Sequence, residues 1–192
     1  MRVTPSLALA LALITPLPTT ACTPSPARRE MSDLDVRLRA SPSATVTLHD
    51  WCAAHGIADP AIHAEVIKAA PPAASAAQRR ELQVGPAELL GYRHVRLSCA
   101  GHVLSEAENW YVPGRLTPTM NATLDASDTP FGTVVAPLHI SRRNLATEML
   151  WRHGTKPPAQ LFRHRALVLD ANGRPIAEVI ETYQREAVAL RR

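Results

Sequence analysis

The stretch YRHVRLSCAGHVLSEAENWYVP, from Tyr92 to Pro113, decides the fold of this chain. Polar and apolar side chains alternate in its first eight residues, Ala100 and Gly101 form a turn signal, and a second extended stretch returns to Pro113. Alternation on both sides of a short turn predicts a long antiparallel hairpin. We therefore expect the sheet of this protein to be antiparallel.

A second hairpin is predicted near the end of the chain, in LFRHRALVLDANGRPIAEVIETYQ from Leu161 to Gln184. Its Asn172–Gly173 pair favours the tight turn that joins two antiparallel strands. Helical patterns precede the strands, in SDLDVRLRA and in SPSATVTLHDWCAAHG. Ser32 and Ser43 can cap these helices, and Gly56 can end the second. Together the patterns predict an α+β fold, a single curved antiparallel β-sheet covered by helices.

The remaining segments are assigned to shorter elements. We expect a strand at 61–70, a loop at 71–81, one or two helical turns at 85–91, a helix at 117–127 capped by Thr117 or Thr119, and a turn into a short helix at 128–135. The segment SRRNLATEMLW (141–151) is left open between helix and strand.

Composition restricts the class of protein. The chain has 192 residues, of which 46% are hydrophobic and 20% charged, and this fits one globular domain without internal repeats. Its net charge of +4 comes from scattered basic residues without interleaved aromatics, so no nucleic-acid partner is expected. We expect a monomer that binds a small molecule.

The N-terminal residues MRVTPSLALALALITPLPTTAC have the layout of a secretory signal, with one Arg, an apolar run and small residues before Cys22. The predicted organisation is a signal peptide at 1–21, a tether and short helix at 22–40, and the folded domain at 41–188. Cys22 would be lipidated and would attach an exported or periplasmic protein to the membrane. The alternative is translation from Met31, which gives a cytoplasmic protein.

Cys52 and Cys99 are an even pair that would form a disulfide in an oxidising compartment, and two buried thiols are the alternative. The sequence has no Cys-x-x-Cys motif and no metal-ligand spacing among its eight His residues. No metal or organic cofactor is expected.

Four segments together resemble the chorismate pyruvate-lyase family, whose members convert chorismate to 4-hydroxybenzoate and pyruvate in ubiquinone biosynthesis. The matching segments are SATVTL with Ser43, Thr45 and Leu48; RHVRL with Arg93, Val95 and Leu97; TPFG from Thr129 to Gly132; and GRPIAEVIE from Gly173 to Glu181. They cover nearly all of the chain after residue 42. The resemblance implies the chorismate lyase-like fold and a lyase that acts on chorismate or a similar aromatic-acid precursor.

The resemblance also implies a site. Arg93 and Glu181 match the catalytic, substrate-binding Arg and Glu, and the backbone N–H groups of Ala44 and Phe131 match two further substrate contacts. Arg93 would bind a carboxylate of a small anionic aromatic or pre-aromatic acid. A Glu in such a cavity is expected to have a raised pKa.

The residues alone leave alternatives open. Strand alternation places Arg93 and Arg96 on opposite faces of the sheet, and likewise Glu178 and Glu181, without choosing the inward member of each pair. An internal salt bridge with Arg163 or Arg165 would also explain the Glu residues. The alternative function is an exported lipoprotein that binds a small carboxylate ligand without catalysis.

Overall fold

Six antiparallel strands form one sheet in the computed structural model, which describes residues 25–152 and 154–190. The strands are β1 His63–Val66, β2 Gly91–Cys99, β3 His102–Tyr111, β4 Ser141–Met149, β5 Gln160–Leu169 and β6 Pro175–Gln184. Their order across the sheet is β1-β2-β3-β6-β5-β4. Both predicted hairpins are confirmed as β2–β3 and β5–β6.

Five α-helices accompany the sheet in the described part of the chain. They are α1 Pro26–Ala40, α2 Ala44–Ala54, α3 Ala76–Glu81, α4 Pro118–Ala126 and α5 Phe131–Val135. The predicted caps of α2 and α4 are confirmed, because Ser43 accepts a hydrogen bond from the N–H of Val46 and Thr117 from that of Met120. These elements confirm the predicted α+β fold with one antiparallel sheet.

The start of the first helix and two short segments differ from the prediction. The helix begins at Pro26, so Ser32 lies inside it and does not cap it. Segment 71–81 contains α3, because Ser75 and Gln78 form a reciprocal capping box that starts a helix among small residues. Segment 85–91, expected to be helical, forms a turn that leads into β2. The undecided segment 141–151 supplies β4, an edge strand that pairs with β5.

The main core lies between one face of the sheet and the first two helices. Met31, Leu34 and Leu38 of α1 are buried there, beside Leu48 and Trp51 of α2. The short helix expected within 22–40 is therefore α1, and it packs into the core of the domain. The predicted signal peptide and Cys22 lie outside the described residues. No helix within 25–152 or 154–190 has the length and apolar character needed to cross a membrane.

A disulfide joins Cys52 of α2 to Cys99 at the end of β2, and both residues are fully buried. The sequence left this bond open beside two free thiols. In the structure this disulfide fixes α2 to the sheet. A hydrogen bond that Trp51 Nε1 donates to the carbonyl of Ala187 also fixes α2 to the segment that follows β6.

Candidate functional site

A small cavity lies between the sheet and the N-terminal ends of α2 and α5. Its volume is about 40 Å³, which is room for about three water-sized groups at roughly 10–15 Å³ each. Its walls come from β2, β3, β4, β5, β6 and the two helix starts: Pro42, Ser43, Ala44, Thr45, Val95, Leu97, Ala107, Asn109, Phe131, Gly132, Ile140, Arg142, Val168, Val179 and Glu181.

The two helix starts meet at one side of this cavity. The first N–H groups of a helix have no partner within the helix, and here they belong to Ala44 and Thr45 in α2 and to Phe131 and Gly132 in α5. These four N–H groups have no acceptor within the described residues. They can donate to an oxygen atom in the cavity, and the partial positive charge at a helix start favours an anionic one.

Gly132 permits the close approach of the two helices. A Cβ atom at this position would lie 2.8 Å from Oγ1 of Thr45 and 2.9 Å from Oγ of Ser43. Any side chain here would push α5 away from α2. The Gly of the TPFG segment is therefore a packing requirement of the cavity wall.

A buried ion pair forms another wall. The NH2 group of Arg142 donates to Oε2 of Glu181 at 2.6 Å, and NH1 donates to Oε1 at 3.2 Å. Both side chains are almost inaccessible, with 3% and 8% of their surface exposed. Tyr183 donates a further hydrogen bond to Oε2 of Glu181 at 3.0 Å. The carboxylate is thus held by a cation and a hydroxyl.

These contacts set the protonation of Glu181. Burial alone would raise the pKa of this carboxyl, but the charge and hydrogen bonds of Arg142 and the hydroxyl of Tyr183 outweigh burial and lower it. Burial likewise opposes the charged form of Arg142, and Glu181 nevertheless raises the pKa of this guanidinium. The expected raised pKa of Glu181 is therefore wrong, because Arg142 was not recognised as its partner from the sequence.

Asn109 and Thr45 are cavity side chains without a side-chain hydrogen-bond partner among the described residues, and Asn109 is the more buried of the two. Only 4% of Asn109 is exposed, and its amide group makes no hydrogen bond within the described residues. An amide that is removed from water without a partner costs free energy. A bound molecule with both donor and acceptor atoms would satisfy it.

The structure brings together three of the four predicted site residues. Ala44, Phe131 and Glu181 line the cavity, whereas Arg93 does not. Arg93 is buried, as expected of the inward member of its pair, but its NH1 and NH2 groups donate to the carbonyls of Thr129 and Ser127 at 2.7 and 2.5 Å. The expectation that Arg93 and Glu181 face one cavity is wrong, because these carbonyls turn the guanidinium away. The roles of all four residues in binding stay predictions.

Glu178 lies on the opposite face of β6 from Glu181. It is fully buried and accepts a hydrogen bond from Nε of Arg165 at 3.0 Å. The salt bridge that the sequence offered as an alternative is therefore present for Glu178. Burial raises the pKa of Glu178, and Arg165 only partly offsets this.

Arg142 is the cation that sequence reasoning missed. It lies in the segment whose helix or strand character was undecided, so its direction could not be predicted. Assigning 141–149 as a strand would have placed Arg142 and Arg143 on opposite faces and made one of them a candidate. Within residues 25–152 and 154–190 no group of three or more His, Cys, Asp or Glu residues could hold a metal ion.

Comparison with known proteins begins with one curated relative, the uncharacterized protein y4mC of Sinorhizobium fredii (strain NBRC 101917 / NGR234). The two sequences are 37% identical over 172 residues, which cover 80% of this chain and 73% of y4mC. This chain belongs to the y4mC family. No protein-family model matches it.

Some solved structures have a fold similar to that of this chain. The effector domain of PhnF from Mycobacterium smegmatis superposes with a TM-score of 0.54 at 13% identity, over 74% of this chain and 88% of that domain. YydK from Bacillus subtilis, described as a possible transcriptional regulator, gives a TM-score of 0.46 at 14% identity, over 70% of this chain. The chain spans 60% of the length of YydK. The predicted chorismate lyase-like fold is confirmed.

The predicted lyase function is corrected by these comparisons. The solved structure that superposes with a TM-score above 0.5 is an effector domain, and it supports neither a chorismate lyase in ubiquinone biosynthesis nor the alternative of an exported carboxylate-binding lipoprotein. The geometry agrees, because the Arg expected to bind chorismate lies outside the cavity and the Glu is already paired with Arg142. The sequence resemblance to chorismate pyruvate-lyases is therefore confirmed for the fold of this y4mC family member, but not for the lyase reaction.

Proposed function

We propose that this chain is an effector-type domain that binds a small molecule through an anionic oxygen group in the cavity between α2 and α5. The observation that carries the proposal is the meeting of four unpaired N–H groups, from Ala44, Thr45, Phe131 and Gly132, in one small cavity. The similarity in fold to the effector domain of PhnF supports it. The motifs shared with chorismate pyruvate-lyases then reflect a common fold and a common place for the ligand.

The charges of the cavity favour an anion over a cation. Glu181 is already neutralised by Arg142 at 2.6 Å, so this pair brings no net charge. What remains is the partial positive charge of the helix starts. Apolar residues complete the walls, among them Val95, Leu97 and Val179. Of the acids expected from the sequence, the ones that fit are small, with a compact oxyanion such as carboxylate, phosphate or sulfate and a short apolar body.

Titration of the ¹⁵N-labelled protein with phosphate, sulfate and acetate tests the proposal. We expect at least one of these anions to shift the amide signals of Thr45, Phe131 and Gly132 in a saturable way. Ala44→Pro removes one donor at the first position of α2, where Pro is tolerated. Because a hydrogen bond to a charged group is worth about 1.5–3 kcal/mol, this variant should weaken binding by about tenfold or more.

The matched control is Ala76→Pro, at the first position of α3. It makes the same chemical change at the start of a helix that takes no part in the cavity. This variant should bind the anion as the original protein does. Equal weakening by both substitutions, or no response of these amides to any of the three anions, would refute the proposed function.

We also propose that the domain works in an oxidising compartment. The buried Cys52–Cys99 disulfide supports this, because such bonds persist outside the reducing cytosol. Translation from Met31 would also remove the first turn of α1, including Arg28, whose guanidinium lies 4.1 Å from the centre of the Trp151 ring. Acid quenching of cells followed by thiol labelling should find both cysteines oxidised, and two free thiols would contradict the proposal.

A further inference from the structure

Arg93 is a buried cation that forms no salt bridge among the described residues. Only 5% of its surface is exposed. Burial lowers its pKa, and the more distant charges of Asp128 and Asp125 oppose this only in part. Both hydrogen bonds of Arg93 go to backbone carbonyls, those of Ser127 and Thr129. An unpaired buried charge is costly. A buried charge of this kind adds little net stability, so stability alone does not account for these hydrogen bonds.

The carbonyls that Arg93 binds belong to the turn between α4 and α5. Ser127 ties this turn to α4, since its hydroxyl donates to the carbonyl of Thr123 at 2.7 Å. Thr129 returns a hydrogen bond from its N–H to Oγ of Ser127 at 3.2 Å. The next residue, Pro130, precedes Phe131, the first residue of α5. The guanidinium therefore binds the turn that leads directly into the first residue of α5.

We infer that Arg93 is a positioning residue: it fixes the turn from Ser127 to Pro130, and so aims the N–H groups of Phe131 and Gly132 into the cavity. The planar guanidinium suits this task because it holds two acceptors in a fixed relative geometry. Asn109 stands directly opposite Arg93 in the pairing of β2 with β3, and Asn109 lines the cavity. Arg93 thus anchors the α5 side of the cavity from the same sheet that forms its floor.

This inference rests on the proposed function, but it is tested first without any ligand. Arg93→Met removes the donors and keeps an unbranched chain. We expect the amide signals of Phe131 and Gly132 to move. Amide hydrogen exchange of Thr133 and Val134, which both donate to the carbonyl of Pro130, should become at least about tenfold faster, since bonds from a charged donor hold this turn closed.

Arg115→Met is the matched control. Arg115 also donates to backbone carbonyls, those of Leu82, Gln83 and Pro175, none of which belongs to the turn between α4 and α5. Its loss should lower the melting temperature and leave the amides of residues 131–134 unchanged. Arg93→Lys keeps the charge and one donor group, so it should restore part of the protection that Arg93→Met loses.

Titration with the anion that binds most tightly then completes the test. Arg93→Met should weaken binding by about tenfold while Arg115→Met does not, because several donors remain but two are misdirected. Unchanged signals and exchange at residues 131–134 in Arg93→Met would overturn the inference whether or not the protein binds anions. If those amides change as expected and the original protein binds none of the anions, the positioning role stands and the proposed function fails.

Discussion

Arg142 and Glu181 form a bidentate ion pair across strand β5, because Arg142 belongs to the edge strand β4 and Glu181 to β6. Both side chains are buried. In a buried pair the loss of water around each charge offsets much of their attraction, so the pair adds little net stability. Removal of one partner, however, leaves the other charge buried and uncompensated. The pair is therefore best examined one residue at a time and then together.

Glu181→Gln should lower the free energy of unfolding by about 3–5 kcal/mol, since Arg142 then lacks its counter-charge. Arg142→Met should cost a similar amount. The double variant Arg142→Met/Glu181→Gln should cost clearly less than the sum of the two single variants, because it removes both charges. Urea unfolding at pH 7 measures all three. Asp33→Asn, which breaks the exposed pair with Arg37, should cost at most about 1 kcal/mol. Additive losses in the double variant would mean that the two charges do not depend on each other.

The same pair predicts a pH dependence with a definite sign. The pKa of Glu181 in the folded protein is lowered, because Arg142 and Tyr183 outweigh burial. Its contribution to stability is then fully present above the ordinary Glu value of about 4.3 and is lost as the pH falls below it. The stability difference between the original protein and Glu181→Gln should be constant between about pH 6 and 8 and shrink below about pH 4.

Other groups also titrate in this experiment. Burial lowers the pKa of His164, whose Nε2 lies 2.7 Å from Oδ1 of Asp35, so His164 costs stability as the pH falls below its ordinary value of about 6.5. Because Glu181 lies opposite His164 in the sheet and its charge raises the pKa of His164, the difference does not remove this loss completely. The same comparison in a His164→Gln background, where this group does not titrate, isolates the ion pair. A difference that persists unchanged down to pH 2 would show that the ion pair is not the source.

The fold could be predicted because its signals are local. The alternation in β2 and β3, the Asn172–Gly173 turn and the Ser43 cap each depend on a few neighbouring residues, and all appear in the structure. Segment 71–81 was missed because its small residues hide a helix whose start depends on Ser75 and Gln78. Capping boxes are local too, so this element could have been found.

The site could be predicted only in part, because its charges depend on tertiary contacts. Spacing and resemblance placed Ala44, Phe131 and Glu181, which do line the cavity. The partner of Glu181 comes from a strand 39 positions away in sequence. Alternation shows only that either Arg93 or Arg96 points inward, and the resemblance selects Arg93. Neither shows which acceptor the guanidinium reaches. The sequence therefore restricts which charged residues can point inward, but it does not predict which residues they pair with.

Gly132→Ala should widen the gap between the starts of α2 and α5. The added Cβ would lie 2.8 Å from Oγ1 of Thr45 and 2.9 Å from Oγ of Ser43. Oγ of Ser43 also caps α2, so this hydroxyl cannot move without loss of the cap. Overpacking of this kind costs about 1–3 kcal/mol. Anion binding should weaken as well, because the four N–H groups no longer converge. Thermal unfolding and amide titration measure the two effects.

Gly114→Ala is the control for that change, since a Cβ at Gly114 would meet no atom within 4 Å. It should leave both the melting temperature and anion binding close to those of the original protein. Combining Gly132→Ala with Thr45→Ala removes one of the two clashes and should recover part of the lost stability. Equal stability of Gly132→Ala and Gly114→Ala would show that the helices are not in close contact at this point.

Reduction of the disulfide should destabilise the domain and loosen the α2 side of the cavity. Cys52 and Cys99 are 47 positions apart, and a bond that closes a long loop contributes about 2–4 kcal/mol. A reductant should therefore lower the melting temperature of the original protein and leave Cys52→Ala/Cys99→Ala unaffected. The amide signals of Ala44 and Thr45 should also move, because they lie on the helix that the bond fixes to β2. If mass spectrometry shows the bond cleaved while melting temperature and amide signals stay the same, α2 does not need the disulfide. It is then held by the packing of residues such as Leu48 and by the hydrogen bond of Trp51.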